Sequence, residues 1–400
     1  MPEITPVEPD PDNAGEGKGA YVEIRATRCI STTCRPGRNG IDPASSIRYE
    51  RKEFPMRMQG IRDFISSHAV LALALLFVPL SIYAGGGTDE SIDKNEVVVW
   101  TYDSFTSEWG PGPAIADAFK AETGLSVRFV THGDAGALLS KVLTEGSRAD
   151  ADVVLGLDQN LLAKAISSGL FAPYKPKGAD RLPASLVLDD RFRLTPYDYG
   201  YFAVIYDSER LAKAPESLED LTKPEFARRL ILMDPRTSTP GLGFFAWTLA
   251  VYGDSWRDYW KRLAPSILTV ADGWDTGYGM FTSGEAPLVL SYTTSPAYHL
   301  EYEQTERFKA AVFPQGHVAQ IEGAGLLAAS RRPENGKRFL DFMLGETFQK
   351  IIPVTNWMYP VTDIPLPASY SAAPKPAKTL DNAAPTDADL AEWADILAKR

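Results

Sequence analysis

From Glu96 onward, short apolar runs alternate with stretches of helical periodicity. NEVVVWTYD (95–103) reads as a strand, and GPAIADAFKAETG as a helix closed by Gly124. LSVRFVTH, GALLSKVLTEG, DVVLGLD and NLLAKAISSG continue as strand, helix, buried strand and helix. This β-α order predicts an α/β lobe with a largely parallel sheet. TPYDYGYFAVIYD (195–207) gives a long aromatic strand, after which the pattern restarts. The restart runs through helical ESLEDLTKPEFARR, strand LILMD, a helix from Gly241, strand SILTVA, a helix near Tyr278 and strand PLVLSY. AAVFPQGHVAQIEGAGLLAAS returns as strands, and NGKRFLDFMLGETFQKII as one amphipathic helix. Residues 364–385, rich in Pro and Ala, read as an extended connector, and DADLAEWADILAK as a closing amphipathic helix. The predicted architecture is two α/β lobes, 95–199 plus 315–352 and 200–314 plus 358–400, joined by a hinge with a ligand cleft between them.

The amino-terminal part follows a different pattern. Residues 1–55 are rich in Pro, Gly and charge without apolar periodicity, and disorder is expected there. Residues 69–84, AVLALALLFVPLSIYA, follow Arg57 and Arg62 and are interrupted by Pro79. The run is shorter than the roughly 20 residues of a spanning helix. Basic flank, short apolar centre and small terminal residue predict a signal peptide over 56–84, cleaved after Ala84 and sending the chain to the periplasm. A retained anchor is the alternative. Translation is expected to begin at Met56 or Met58. No cysteine follows the run, so lipid attachment there is excluded.

Composition narrows the chemistry. A net charge of −11 argues against nucleic acid and is compatible with a cationic ligand. The only cysteines, Cys29 and Cys34, precede the apolar run. A disulfide scaffold, a cysteine nucleophile and a Cys-ligated zinc are therefore excluded downstream. His68, His132, His299 and His317 show no metal spacing, and no G-x-S-x-G motif occurs. No metal, no cofactor and no catalysis are expected.

Four groups of residues could form a site. In DPRTSTPGLGFF, Thr237, Ser238 and Thr239 precede Pro240 at a helix start, where free N–H groups and hydroxyls suit an anion; an ordinary helix cap is equally compatible. Gly241 and Gly243 allow close backbone approach. In SYTTSPAYH, Thr293, Thr294 and Ser295 stand between Tyr292 and Tyr298 at a strand end, reading as a site or a polar turn. Aromatics beside Gly and Pro (Tyr102, Trp109, Trp274, Trp357, Tyr359) suit a pocket wall, where a cationic heterocycle gains ~0.5–2 kcal/mol against Trp. Asp103, Asp134 and Asp158 trail strands and could balance a cation, although Asp158 also suits a helix cap.

WTYDSFTSEWGPGP, ADVVLGLDQNLL, PYDYGYFAVIYD, DPRTSTPGLG, VLSYTTSPAYH and NWMYP occur in the order seen in the bacterial thiamine-binding periplasmic proteins, which residues 97–361 resemble. Trp100 stands where that family usually has Tyr, and in THGDAG the residue after Asp134 is Ala rather than the commoner Gly. The resemblance implies a type II periplasmic-binding fold, thiamine or its mono- or diphosphate as ligand, and delivery to the permease of an ABC importer. It places the phosphate end at Ser238 and Thr239, and the ligand body at Trp274, Tyr292 and Thr293 to Ser295. It puts Asp134 and Ala135 near the ligand, with Tyr102, Trp109, Tyr298 and Trp357 lining the cleft. A monomer is expected. The rivals are a binding protein for another cation, such as a polyamine or ferric ion, and a thiamine-degrading enzyme of the same fold, whose nucleophile is a cysteine.

Overall fold

The computed structural model describes residues 93–399; the 1–55 extension, both cysteines and the signal-like run with its cleavage site lie outside them. The first half of the chain contains β1 (Glu96–Thr101), α1 (Gly112–Thr123), β2 (Ser126–Thr131), α2 (Ala135–Glu145), β3 (Val153–Asp158), α3 (Leu162–Ser167) and β4 (Phe171–Ala172). After β5 (Thr195–Asp207) come β6 (Leu230–Met233), α4 (Thr239–Tyr252), α5 (Trp256–Leu263), β7 (Ile267–Ala271), α6 (Trp274–Thr282), β8 (Leu288–Tyr292) and α7 (Ser295–Tyr302). The chain ends with β9 (Phe308–Ala311), β10 (His317–Leu327), α8 (Pro333–Met343), α9 (Glu346–Thr355), β11 (Tyr359–Pro360), β12 (Thr379–Leu380) and α10 (Asp387–Leu397).

The main sheet runs β2-β1-β3-β10-β5-β8-β6-β7. β1 pairs in parallel with β2 and β3, and β6 in parallel with β7 and β8. Between these parallel halves stand β10 and β5, antiparallel to each other and to their neighbours. β5 belongs to both: residues 195–201 pair with β10, and Phe202 onward with β8. The ladder between β10 and β5 shifts register between Glu322 and Gly323, at the middle of the crossing.

Alternation explains how the first lobe is filled. Val97 and Val99 of β1 enter one core with Ile115, Phe119 and Phe339, from α1 and α8. Val98 and Trp100 enter another with Leu138, Leu139 and Val142 of α2. Strand residues of opposite parity point to opposite faces, so a continuous apolar run is buried by helices on both sides. The second lobe has its own core around Ile231, Phe245, Trp260 and Val289. α10 docks on it through Trp393, whose ring stands edge-on to Trp260, while Arg257 pairs with Glu392.

Three expectations change. ESLEDLTKPEFARR forms two short 3-10 turns, Asp220–Thr222 and Pro224–Phe226, instead of a helix. Pro224 lacks an N–H and forces Lys223 into extended backbone (φ −71°, ψ 149°). The helix expected over 335–352 divides into α8 and α9, because Gly345 is extended and caps the second. The connector at 364–385 carries a 3-10 turn, Ala368–Ala372, and β12, which pairs with β10.

Candidate functional site

A cavity of about 240 Å³ opens between the two halves. On the first-lobe side, Tyr102 follows β1 and reaches the cavity because β3 carries glycine beneath it. Gly156 has a φ of +104°, and a Cβ there would stand 2.3 Å from Tyr102 Cδ1. The Tyr102 hydroxyl lies 3.3 Å from Glu322 Oε2 and 3.4 Å from both Tyr197 Oη and Asn356 Oδ1. Burial, then the nearby charge of Glu322, holds the phenol well above its ordinary titration range. It therefore serves as a neutral donor.

Asp134 caps α2 and also bridges the cleft. Its Oδ1 accepts from Ala135 N–H at 2.6 Å, and Oδ2 accepts from Trp274 N–H, the first residue of α6, at 3.1 Å. A backbone bond from Ala137 N–H to Thr237 O at 3.1 Å joins α2 also to the turn before α4. Burial raises the Asp134 carboxyl above its usual range, against these donors. Two helix N-termini from opposite lobes thus share one carboxylate.

The second-lobe wall is aromatic. Trp274 stacks on Tyr278 at 4.9 Å and 18°, and Trp109 meets it edge-on at 5.9 Å from the other lobe. The Trp274 indole N–H donates to Ser291 Oγ at 2.9 Å, which in turn lies 2.8 Å from Ser295 Oγ. Tyr292 stacks on Phe202 and donates to Gln320 Oε1 at 2.9 Å. Tyr298 is edge-on to Trp357, whose backbone is left-handed (φ 56°) and whose ring stacks on Tyr370. Left-handed tryptophan is uncommon, and here it turns the ring into the cavity wall. Thr239 meets the cavity at the start of α4, where first-turn N–H groups lack helical acceptors.

Ten of the sequence-selected residues line the cavity: Tyr102, Trp109, Asp134, Thr239, Trp274, Tyr292, Thr294, Ser295, Tyr298 and Trp357. Ala135, Ser238 and Thr293 are buried just behind it instead. Ala135 packs with Leu138 in the first-lobe core. Ser238 is the residue before α4, and its Oγ finds no well-placed hydrogen-bond partner. Thr293 donates its N–H to Tyr201 O at 2.9 Å. Gly241 and Gly243 do permit close approach, but to Met233 and to the Phe202 ring, within the protein. Asp158 does not cap α3, whose cap residue is Leu161; it closes the turn before that helix, accepting from Asn160 and Leu161 N–H at 2.9 and 3.2 Å. Asp103 is exposed and binds Gly133 N–H.

Sequence reasoning passed over Glu322, Asn356, Tyr278 and Met358, all at the cavity. Glu322 is 5% exposed although it sits in an otherwise apolar stretch of β10. A lone carboxylate inside IEGAG was the available signal. Four carboxylates line the cavity (Asp134, Asp275, Glu303, Glu322), and among the described residues no Lys, Arg or His does so. Among the described residues, no helix is long and apolar enough to cross a membrane.

The profile of the bacterial extracellular solute-binding proteins matches residues 150–388. The chain is 49% identical over 293 residues to a thiamine-binding periplasmic protein of Brucella abortus, covering 72% of this chain and 86% of that one. It is 44% identical over 312 residues to the thiamine-binding periplasmic protein of Escherichia coli, covering 76% and 94%. A solved periplasmic thiamin binding protein superposes with a TM-score of 0.73 at 43% identity, over 76% of this chain and 96% of that one. These likenesses span both lobes and the cavity between them, so the chain belongs to the thiamine-binding periplasmic proteins, within the bacterial extracellular solute-binding proteins.

Proposed function

We propose that this chain captures thiamine and its mono- and diphosphate outside the cytoplasmic membrane and passes them, chemically unchanged, to the permease of an ABC importer. The observation that carries this reading is the cavity's composition: aromatic walls with four carboxylates and, among the described residues, no basic side chain. A flat, permanently cationic heterocycle satisfies both, through ring faces and through charge. The start of α4, with Thr239 and unpaired N–H groups, supplies neutral donors for a phosphate without demanding one. A polyamine would use the carboxylates but leave the stacked indoles idle. Among the described residues no cysteine is present to act as a nucleophile, which disfavours cleavage of the ligand. Relatives under 25% identity, such as a fructose-6-phosphate-bound periplasmic protein at 20%, share the fold alone.

Calorimetric titration tests this, using protein unfolded and refolded to strip carried-over ligand. Tight binding of thiamine and its phosphates, weakened about tenfold or more in Trp274→Ala, is expected from loss of a cation–π face worth ~0.5–2 kcal/mol and its packing. Binding of spermidine with no response to thiamine would keep the fold and overturn the ligand.

A further inference from the structure

Where the two lobes cross, β5 and β10 place two carboxylates directly opposite each other. Asp198 and Glu322 are register partners, and both side chains are buried, at 0% and 5% exposure. Asn356 bridges them, its Nδ2 standing 2.6 Å from Asp198 Oδ2 and 3.5 Å from Glu322 Oε2. Glu322 forms part of the cavity wall, whereas Asp198 stands behind it with Oδ1 unpartnered.

The groups facing Glu322 are all neutral or acidic. Tyr102, beyond β1, and Tyr197, on β5, donate to its Oε2 at 3.3 and 3.0 Å, and Gln320 of β10 donates to Oε1 at 3.1 Å. Asn356 approaches from the end of α9, and the charges of Asp158 and Asp134 act from farther off. Donors of this kind stabilise a carboxylate, but two buried carboxylates side by side cannot both ionise cheaply. Burial lifts both above the usual carboxylate range; the charge of Glu322 lifts Asp198 further, whereas Asp198 and Tyr197, as hydrogen-bond partners, pull Glu322 back down. Buried and in register, the pair therefore holds a proton more tightly than either carboxyl would in water.

Resting on the ligand class proposed above, we infer that the Asp198–Glu322 pair is the charge-selective element of the cleft: a cationic ring docked against Glu322 expels the shared proton to solvent, and a neutral ring of the same shape does not. The balance is simple. One O–H bond of the pair breaks, the proton passes to buffer, and the ligand's fixed positive charge takes its place beside the carboxylate. Asp134, half-buried at the cavity, is already held by two N–H donors. Asp275 and Glu303 are exposed to solvent at the cavity's edge. Among the described residues, the crossing-strand pair alone sets a cavity-lining carboxylate directly opposite a second buried one. The consequence is an affinity for the cation that rises with pH through neutrality, and an affinity for a neutral isostere that does not.

The experiment is calorimetric titration of the full chain at pH 7 in phosphate and in Tris, buffers of unlike ionisation heat. The ligands are thiamine, which avoids phosphate titration, and its isostere with a neutral thiophene in place of the thiazolium. Both carry the same aminopyrimidine, so its protonation cancels. Release of roughly half to one proton per thiamine, none for the isostere, and a thiamine preference of tenfold or more are expected. Glu322→Gln should abolish the release and bring the two affinities within about threefold. Buffer-independent heats with wild-type protein would overturn the inference without any variant, as would a Glu322→Gln protein that still prefers the cation. Should Glu322→Gln fail to fold, Asp198→Asn takes its place and should lose the release. Failure of wild-type protein to bind either compound would instead overturn the ligand assignment, and this inference with it.

Discussion

Asp134→Asn separates two jobs that one side chain performs. In the wild-type protein Oδ1 caps α2 and Oδ2 accepts Trp274 N–H from the opposite lobe. Asparagine is as good a helix cap as aspartate, so its single oxygen can keep the α2 bond. The amide nitrogen then faces the Trp274 N–H, donor against donor. A charge-assisted bond across the cleft is lost, at a cost of about 1.5–3 kcal/mol. That bond exists only while the lobes are together, since opening the cleft must break it. The cost therefore falls on the closed, ligand-holding form rather than on folding. Thiamine affinity should fall roughly ten- to hundredfold, while the ligand-free protein loses less than about 1 kcal/mol of unfolding stability. Titration calorimetry reads the first quantity and urea unfolding without ligand the second. Wild-type affinity in the variant, or a stability loss as large as the binding loss, would refute this division of labour.

Three further outcomes follow from the same geometry. Thr239→Val removes the hydroxyl that reaches the cavity at the start of α4; affinities for the mono- and diphosphate should drop about tenfold, with thiamine little changed, and equal losses for all three ligands would contradict a phosphate role. Glu322 is raised by burial to about 7, so the folded state holds its proton more tightly than the unfolded chain; that stability is complete in acid and is lost as pH climbs toward 7. Urea unfolding of ligand-free protein at pH 5 and pH 8 should show a fall that Glu322→Gln reduces by up to about 3 kcal/mol; Asp158, pushed to about 7 in the same direction, leaves a residual slope. Gly156→Ala should cost about 2–4 kcal/mol in thermal unfolding and weaken thiamine binding, because its Cβ would strike the Tyr102 ring and its φ is left-handed.

Much of the fold could be seen in the sequence where alternation and length coincide. TPYDYGYFAVIYD became a strand with its ends as read, and VVVW of β1 became a doubly covered parallel strand. The place of β10 between β3 and β5 could not be read, because its partners lie more than a hundred residues away and leave no trace in local periodicity. The helix predicted over 216–229 failed on one residue, Pro224, whose effect on Lys223 outweighed the surrounding helix formers. Of the aromatics beside Gly and Pro, Tyr102, Trp109, Trp274 and Trp357 line the cavity, whereas Tyr359 lies in β11 away from it. Ser238 and Thr293 illustrate the limit: they are buried in the protein while their neighbours Thr239, Thr294 and Ser295 line the cavity, a division that adjacent hydroxyls in the sequence do not reveal. Glu322 and Asp198 were hidden by their setting, as single charges within long strands whose meaning depends on the crossing.

The sheet order also governs how the protein can assemble. A chain delivered from its amino end presents β1, β2 and β3 early, yet the strand that completes their sheet is residues 317–327. The second lobe waits longer still, for Trp393 of the last helix to cover Trp260. Neither half can close its core from the segment that precedes it, and pairings of such long sequence separation form slowly. The nascent polypeptide should therefore persist as an open thread until almost its whole length has emerged. Removal of α10 would leave apolar second-lobe surface uncovered, and with it a route to aggregation.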